Sequence, residues 1–362
     1  MGSKTTPFQL RISDAAIAEL RERLARTRLA DEPPLEAWST GTSLSYLREL
    51  IEYWRGAFDW RAQEARLNAF PQYKVQIRGV DLHFIHQPGR AKDAMPLLLL
   101  HGWPGSVWEF NRLLPLLAER FSVVAPSLPG FTLSFQPGQP RFGVEEMADI
   151  FAELMSDVLG YGRFGAQGGD WGAFISARLG YAHPQRLTGI HLNYLPVRRD
   201  RLPGDERDWA RQLARWTAEE SGYIAIQGTK PQTLAYALTD SPAGLAAWIA
   251  EKFRSWSETP ISRDDLLTNI SLYWFTGAIG SSFWPYYARA QGGWPIPEGG
   301  KVDVPLGYAE FPKEILRPSR ALAENTYTRI TRWTAMPQGG HFAALEQPEA
   351  LAREVTQFFD SI

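Results

Sequence analysis

The segment Gly168-Gly169-Asp170-Trp171-Gly172 puts a carboxylate where a sharp strand-to-helix turn ordinarily presents a nucleophile. Residues 163–167 read as a short buried strand and residues 174–179 as a helix, the setting that a nucleophile elbow requires. The side chain at the tip must project outward, and the glycines at 168, 169 and 172 relieve the crowding around it. A serine there would transfer acyl groups. An aspartate instead makes an alkyl ester by attacking carbon, so it suits a C–O or C–halogen bond at an sp³ centre. Taken alone, the pentapeptide is equally compatible with a glycine-rich turn bearing a solvated aspartate, and other residues must decide.

Two further groups supply what such a nucleophile needs. His101-Gly102-Trp103-Pro104-Gly105-Ser106 directly follows an expected strand at 97–100, where hydrolases built on an elbow draw one oxyanion-hole amide. The N–H of Trp103 is expected to converge with that of Trp171, just after the nucleophile, on a tetrahedral oxyanion. Among six histidines, His83 and His86 fall on opposite faces of one strand, His183 closes a helix ahead of Pro184, His191 lies within a strand, and His101 braces its turn. His341, in Gly339-Gly340-His341-Phe342, occupies a flexible loop after the last strand, where a general base has freedom to reach its partner. An orienting carboxylate belongs between nucleophile and histidine in chain order. Asp303 stands too early, at the start of an expected strand 303–308; Glu310 and Glu314 both fall past its end, and the pattern does not separate them. No Walker loop, dinucleotide fingerprint or HExxH motif occurs, so hydrolysis is expected with no cofactor and no metal.

The elements that must position these groups follow from apolar patterning. From Pro96 onward, short continuous apolar runs alternate with helical stretches, which predicts a mostly parallel sheet covered on both faces, an α/β fold. Strands are expected at 97–100, 122–125, 164–167, 188–192, 303–308 and 329–335. Helices are expected around 109–117, 145–159 and 171–181, with a last one after Pro348. Ahead of the sheet, residues 13–29 carry Ile17, Leu20 and Leu24 on one helical face with Ser13 or Asp14 as cap, and 44–54 form a second amphipathic stretch. The chain thus divides into an N-terminal wrapping arm (1–70), a first core segment (71–195), an aromatic-rich helical insertion (196–298) over the carboxyl ends of the strands, and a second core segment (299–362).

Composition excludes several classes of function. Lys plus Arg number 38 against 40 for Asp plus Glu, so no bulk field draws nucleic acid or an anionic membrane. Cysteine is absent, which removes disulfides, thiolate metal sites and thiol nucleophiles. The N-terminus lacks the apolar stretch of a signal peptide and no run approaches membrane-spanning length, so a soluble, cytoplasmic protein is expected. Gly2 and Thr6 formally fit a loose myristoylation pattern. A homodimer stays open, since nothing in the sequence decides oligomeric state.

These residues together resemble the α/β-hydrolase-fold epoxide hydrolases, of the microsomal and juvenile-hormone type with an added N-terminal region. The likeness spans nearly the whole chain: the arm at 8–73, the two motifs around Trp103 and Asp170, Ser221-Gly222-Tyr223, Thr229-Lys230-Pro231, Phe311-Pro312-Lys313-Glu314, and His341 in its loop through Ala344. The resemblance implies Asp170 as nucleophile, His341 as base and Glu314, not Glu310, as orienting carboxylate. It also implies two tyrosines of the helical lid that hydrogen-bond the epoxide oxygen and protonate it: Tyr223, and Tyr286 in preference to the adjacent Tyr287. An alkoxide leaves poorly near neutral pH, and a tyrosine at its usual pKa stays protonated and can donate. The substrate so implied is a small epoxide, apolar or aryl given 14 Trp, 13 Tyr and 19 Phe. The N-terminal membrane anchor of microsomal members is not matched. A haloalkane dehalogenase shares the aspartate nucleophile and is the competing enzyme; a non-catalytic ligand-binding protein on the same fold is the competing non-enzyme.

Overall fold

The computed structural model describes residues 4–198 and 207–362. Gly2 of the lipidation pattern, and 199–206 of the expected insertion, lie outside the described residues. Among the described residues nine strands form one sheet: β1 (Thr6–Phe8), β2 (Gln72–Ile77), β3 (Val80–Gln87), β4 (Met95–Leu100), β5 (Phe121–Pro126), β6 (Phe164–Gly168), β7 (Leu187–Leu192), β8 (Leu306–Glu310) and β9 (Ile330–Ala335), in the order β1-β2-β3-β5-β4-β6-β7-β8-β9. Pairing is antiparallel from β1 to β5 across the first three contacts and parallel from β5 to β9. β4 and β6 sit at its centre, and Leu97 to Leu100 have no exposed surface, as strands covered on both faces require. The loop after β4 and the turn after β6 therefore emerge side by side, at the carboxyl edge where α/β sheets hold their sites.

Three expectations are corrected. The strand placed at 303–308 starts at Leu306 and runs to Glu310. Pro305 has no N–H to donate to a ladder, and Asp303 instead accepts from the Thr328 hydroxyl. Glu310 is thus the last strand residue, not one beyond it. The single helix expected around 109–117 divides into a 3₁₀ turn, Val107–Phe110, and a helix, Leu113–Leu117. Pro115 cannot donate back into the preceding turn, and the side chain of Asn111 donates to the Trp108 carbonyl at 2.8 Å. β1 and a helix at Trp60–Asn68, whose N-cap Asp59 accepts from Ala62 N, were not expected from periodicity.

Between β7 and β8 the described chain is helical: Arg207–Glu220, Gly222–Thr229, Pro231–Asp240, Pro242–Trp256, Arg263–Thr276, Ile279–Ser282 and Trp284–Gln291. The helices Asp14–Ala25 and Leu44–Gly56 of the N-terminal segment bind to these rather than to the sheet. Trp54 Nε1 donates to Ser271 Oγ at 3.0 Å, the Thr42 hydroxyl donates to the Ala247 carbonyl at 2.7 Å, and Arg23 pairs with Asp240. Ser13, not Asp14, caps the first helix. Every residue from Asp265 to Tyr273 is buried, so the helix Arg263–Thr276 is enclosed on all sides. No helix among the described residues is long and apolar enough to cross a membrane.

Candidate active site

Asp170 opens the helix Asp170–Ala182 directly after β6 and holds φ at +44°, in the left-handed region that an aspartate adopts only under constraint. Two close approaches enforce the turn. A Cβ on Gly172 would collide with the Leu100 carbonyl, and one on Gly102 would collide with the Asp170 carboxylate itself. The strained tip therefore exists because the chain comes within contact of β4 and the loop that follows it.

That loop supplies the first partner. Trp103 N–H donates to Asp170 Oδ1 at 2.8 Å, so the amide predicted for an oxyanion hole already holds one carboxylate oxygen. The loop is held from above by the buried helix Arg263–Thr276. Asn269 Nδ2 donates to the Pro104 carbonyl at 2.7 Å, Tyr273 donates to the Gly105 carbonyl at 2.7 Å, and Trp108 Nε1 donates to Asp265 at 3.1 Å. Trp171 N–H lies in the first turn of its helix, where amides have no intrahelical acceptor.

His341 and Glu314 complete a chain of charge. His341 Nε2 lies 3.5 Å from Asp170 Oδ2, and His341 Nδ1 lies 2.5 Å from Glu314 Oε1, which also accepts from Ile315 N–H at 2.6 Å. Glu310 faces away and accepts from the Trp333 indole at 3.0 Å. Burial would push the His341 pKa down, but the charge of Glu314 and the bonds to Asp170 and Glu314 outweigh it and hold the imidazole well above its ordinary value. The loop is not free, as the sequence had suggested. His341 is buried, and its backbone N–H donates to the Trp256 carbonyl at 2.9 Å.

Tyr223 and Tyr286 converge from two different helices onto the tryptophans beside the nucleophile. The Tyr223 ring stacks on Trp103 with centroids 5.3 Å apart, Tyr286 meets Trp171 edge-on at 4.8 Å, and the two tyrosines stand 5.7 Å apart. Tyr287 instead packs on Trp284. Burial, then Tyr223 and Asp170 nearby, push the Tyr286 pKa well above its usual value, so its hydroxyl keeps its proton. Lys252, buried and paired with Glu251 at 2.6 Å, places Nζ 4.7 Å over the Tyr223 ring.

Residues of this cluster line two cavities. A small one of about 20 Å³ is lined by Asp170, His341, Trp103, Glu109, Gln167 and Asn193. A cleft of about 1310 Å³ between the N-terminal helices and the helical segment is lined by Trp38, Tyr46, Trp248, Lys252 and Tyr223. Trp103 lines the small cavity, and Tyr223, stacked on it, lines the cleft. Glu109, Asn193 and Lys252 carry no motif that would have marked them; their places depend on turns and helix packing. The remaining histidines are structural: His101 bonds the Gly102 carbonyl and accepts from Leu128 N–H, and His83 bonds Ser127 and Gln72. Among the described residues no cluster of three or more His, Cys, Asp or Glu is arranged to hold a metal.

The chain is similar over nearly its whole length to known proteins. A family model described as the epoxide hydrolase N terminus matches residues 5–110, and one for the alpha/beta hydrolase fold matches 95–214. Epoxide hydrolase 1 of Oryctolagus cuniculus is 38% identical, the match covering 97% of this chain and 88% of that protein. The epoxide hydrolase structure from Aspergillus niger superposes with a TM-score of 0.88 at 31% identity over 100% of this chain and 97% of that one. Juvenile hormone epoxide hydrolase from the silkworm Bombyx mori superposes with a TM-score of 0.89 at 30% identity, covering 99% and 95%. The chain belongs to the epoxide hydrolases of the α/β-hydrolase fold that carry the N-terminal epoxide hydrolase region.

Proposed function

We propose that this epoxide hydrolase works through a covalent ester on Asp170 and acts on apolar or aryl epoxides. The observation that carries the reading is the division of labour between the two oxygens of Asp170: Oδ1 rests on the Trp103 amide, while Oδ2 faces His341 and is free of backbone donors. Oδ2 attacks an epoxide carbon, the ring C–O bond breaks, and its electrons pass to oxygen. Tyr223 and Tyr286 donate to that oxygen, and one of them gives up its proton. The ester carbonyl, now Oδ1, stays in the oxyanion hole formed by the Trp103 and Trp171 amides.

The second step needs a base, and the first step makes one. In the free enzyme His341 sits as an imidazolium between two carboxylates. Esterification removes the charge of Asp170, so the imidazolium loses its stabilisation and its proton returns to the tyrosinate. Neutral His341 then takes a proton from water as the water oxygen attacks Cγ of Asp170. The Cγ–Oδ2 bond breaks, the departing alkoxide recovers the proton, a vicinal diol leaves, and the second proton of the water, left on the Asp170 carboxyl, passes to His341 and restores the imidazolium. Glu314 supports the imidazolium whenever it forms. The aromatic lining of the large cleft, Trp38, Tyr46 and Trp248, supports an apolar or aryl substrate entering past Tyr223 beneath the helical lid. The tyrosine pair suits an alkoxide rather than a halide, which favours this reading over dehalogenation.

Single turnover with excess enzyme in ¹⁸O-water tests it. The first diol carries unlabelled oxygen from Asp170, label enters the carboxylate, and His341→Gln accumulates an adduct on the peptide containing Asp170. Labelled first diol with no adduct would exclude the covalent route.

A further inference from the structure

The small cavity beside Asp170 has a size and lining that the two-step reading does not itself explain. Its volume of about 20 Å³ admits one water and no epoxide, since roughly 10–15 Å³ of such space is what a single water needs. Its polar lining includes Asp170, His341 and Glu109. A buried water requires two to four polar partners, and Asp170, His341 and Glu109 converge here. Glu109 stands on the 3₁₀ turn Val107–Phe110, one turn beyond the oxyanion loop, and its carboxylate occupies the space that a side chain at Gly105 would fill. The glycine makes room for the carboxylate.

We infer that this cavity seats the hydrolytic water, and that Glu109 is the positioning residue that accepts its second hydrogen and turns its lone pair toward Cγ of the Asp170 ester. The inference rests on the covalent reading above. The other polar groups around Glu109 are Asp170, His341, Tyr273 and the Ser106 amide that donates to it. Burial raises the Glu109 pKa to about 8, with the Asp170 charge adding to the rise and His341 and Ser106 opposing it. In the intermediate the charges of Asp170 and His341 are both gone, so burial keeps Glu109 raised, and its carboxyl oxygen can accept from water in either protonation state. No atom of Glu109 is transferred: water still gives its proton to His341, and Glu109 only orients it.

Glu109→Leu comes close to the volume and removes both carboxyl oxygens. In rapid-quench single turnover, it is expected to leave Asp170 alkylation within about 3-fold of wild type and to slow ester hydrolysis on the order of 10- to 100-fold, the loss that misplacement of a reacting group produces. The adduct on the Asp170 peptide then accumulates. Gly105→Ala offers an independent approach, because its methyl group would displace the Glu109 carboxylate. It should reproduce the hydrolysis defect by itself and add little in a Glu109→Ala background, whereas a merely structural role would make the two losses additive. Ester formation and hydrolysis slowed equally, or hydrolysis at the wild-type rate in Glu109→Leu, would overturn the assignment while leaving the covalent route intact. Absence of any Asp170 adduct in wild-type enzyme and His341→Gln would overturn the covalent route itself.

Discussion

The proposed chemistry depends on charges that change one another's state. His341 lies between Asp170 Oδ2 at 3.5 Å and Glu314 Oε1 at 2.5 Å, and each carboxylate favours its protonated form. For His341 to act as base the imidazolium must lose its proton, so ester hydrolysis should accelerate as pH rises through the His341 pKa in the intermediate. Removing the Glu314 charge destabilises the imidazolium and lowers that pKa. Glu314→Gln is therefore expected to shift the limb to lower pH and to slow hydrolysis by about 100-fold or more, with alkylation affected less. Glu310→Gln should change neither, because Glu310 bonds the Trp333 indole. Stopped-flow hydrolysis rates across pH give the answer, and a limb moved to higher pH in Glu314→Gln would assign the orienting role elsewhere.

At the scale of elements, the site is assembled from pieces that only meet at the carboxyl edge of the sheet. The turn after β6 carries Asp170, the loop after β4 carries the Trp103 amide, and the helices Gly222–Thr229 and Trp284–Gln291 bring Tyr223 and Tyr286. Because the two hydroxyls come from separate helices, each can be removed without moving the other. Tyr223→Phe and Tyr286→Phe should each lower the alkylation rate on the order of 100-fold, the cost of one transition-state donor, and the double variant should lose nearly all epoxide opening. Ring stacking on Trp103 and Trp171 survives in phenylalanine, so circular dichroism should be unchanged. A double variant with wild-type alkylation would remove both tyrosines from the mechanism.

Across the whole molecule, the N-terminal segment is tied to the chemistry through one buried helix. Trp54 is buried and donates to Ser271, and Ser271 lies on the same helix, Arg263–Thr276, whose Asn269 and Tyr273 hold the oxyanion loop. Trp54→Ala should cost about 3–5 kcal/mol in stability as a large-to-small core change, and Trp54→Phe about 1 kcal/mol for the lost hydrogen bond plus a little packing. Urea titrations would measure both as shifts in midpoint at constant slope. A loss under 1 kcal/mol for Trp54→Ala would mean that the arm lies on the surface of the helical segment without being part of its core.

Local order was legible in the chain because its signals are local. Glycines around Asp170, a Gly-Pro loop after an apolar run and a histidine after the last strand are each read within a few residues, and the sheet's continuous apolar runs report burial on both faces. The choice of Glu314 over Glu310, and of Tyr286 over Tyr287, rested on resemblance alone. Pro305 shifts β8 three residues along, Phe311 to Glu314 turn back toward Gly340, and only that turn aims one glutamate at Nδ1 while its neighbour meets Trp333. Glu109 had no signal at all. Its carboxyl group can take the proposed role because Gly105 leaves room for it and the fold brings it into one cavity with Asp170, 61 positions downstream of Glu109, a separation over which patterning along the chain carries no information. Side-chain type and spacing determined which chemistry was available; close approach of loops distant in sequence decided which groups face it, because electrostatics and hydrogen bonding act over a few ångströms of space rather than along the chain.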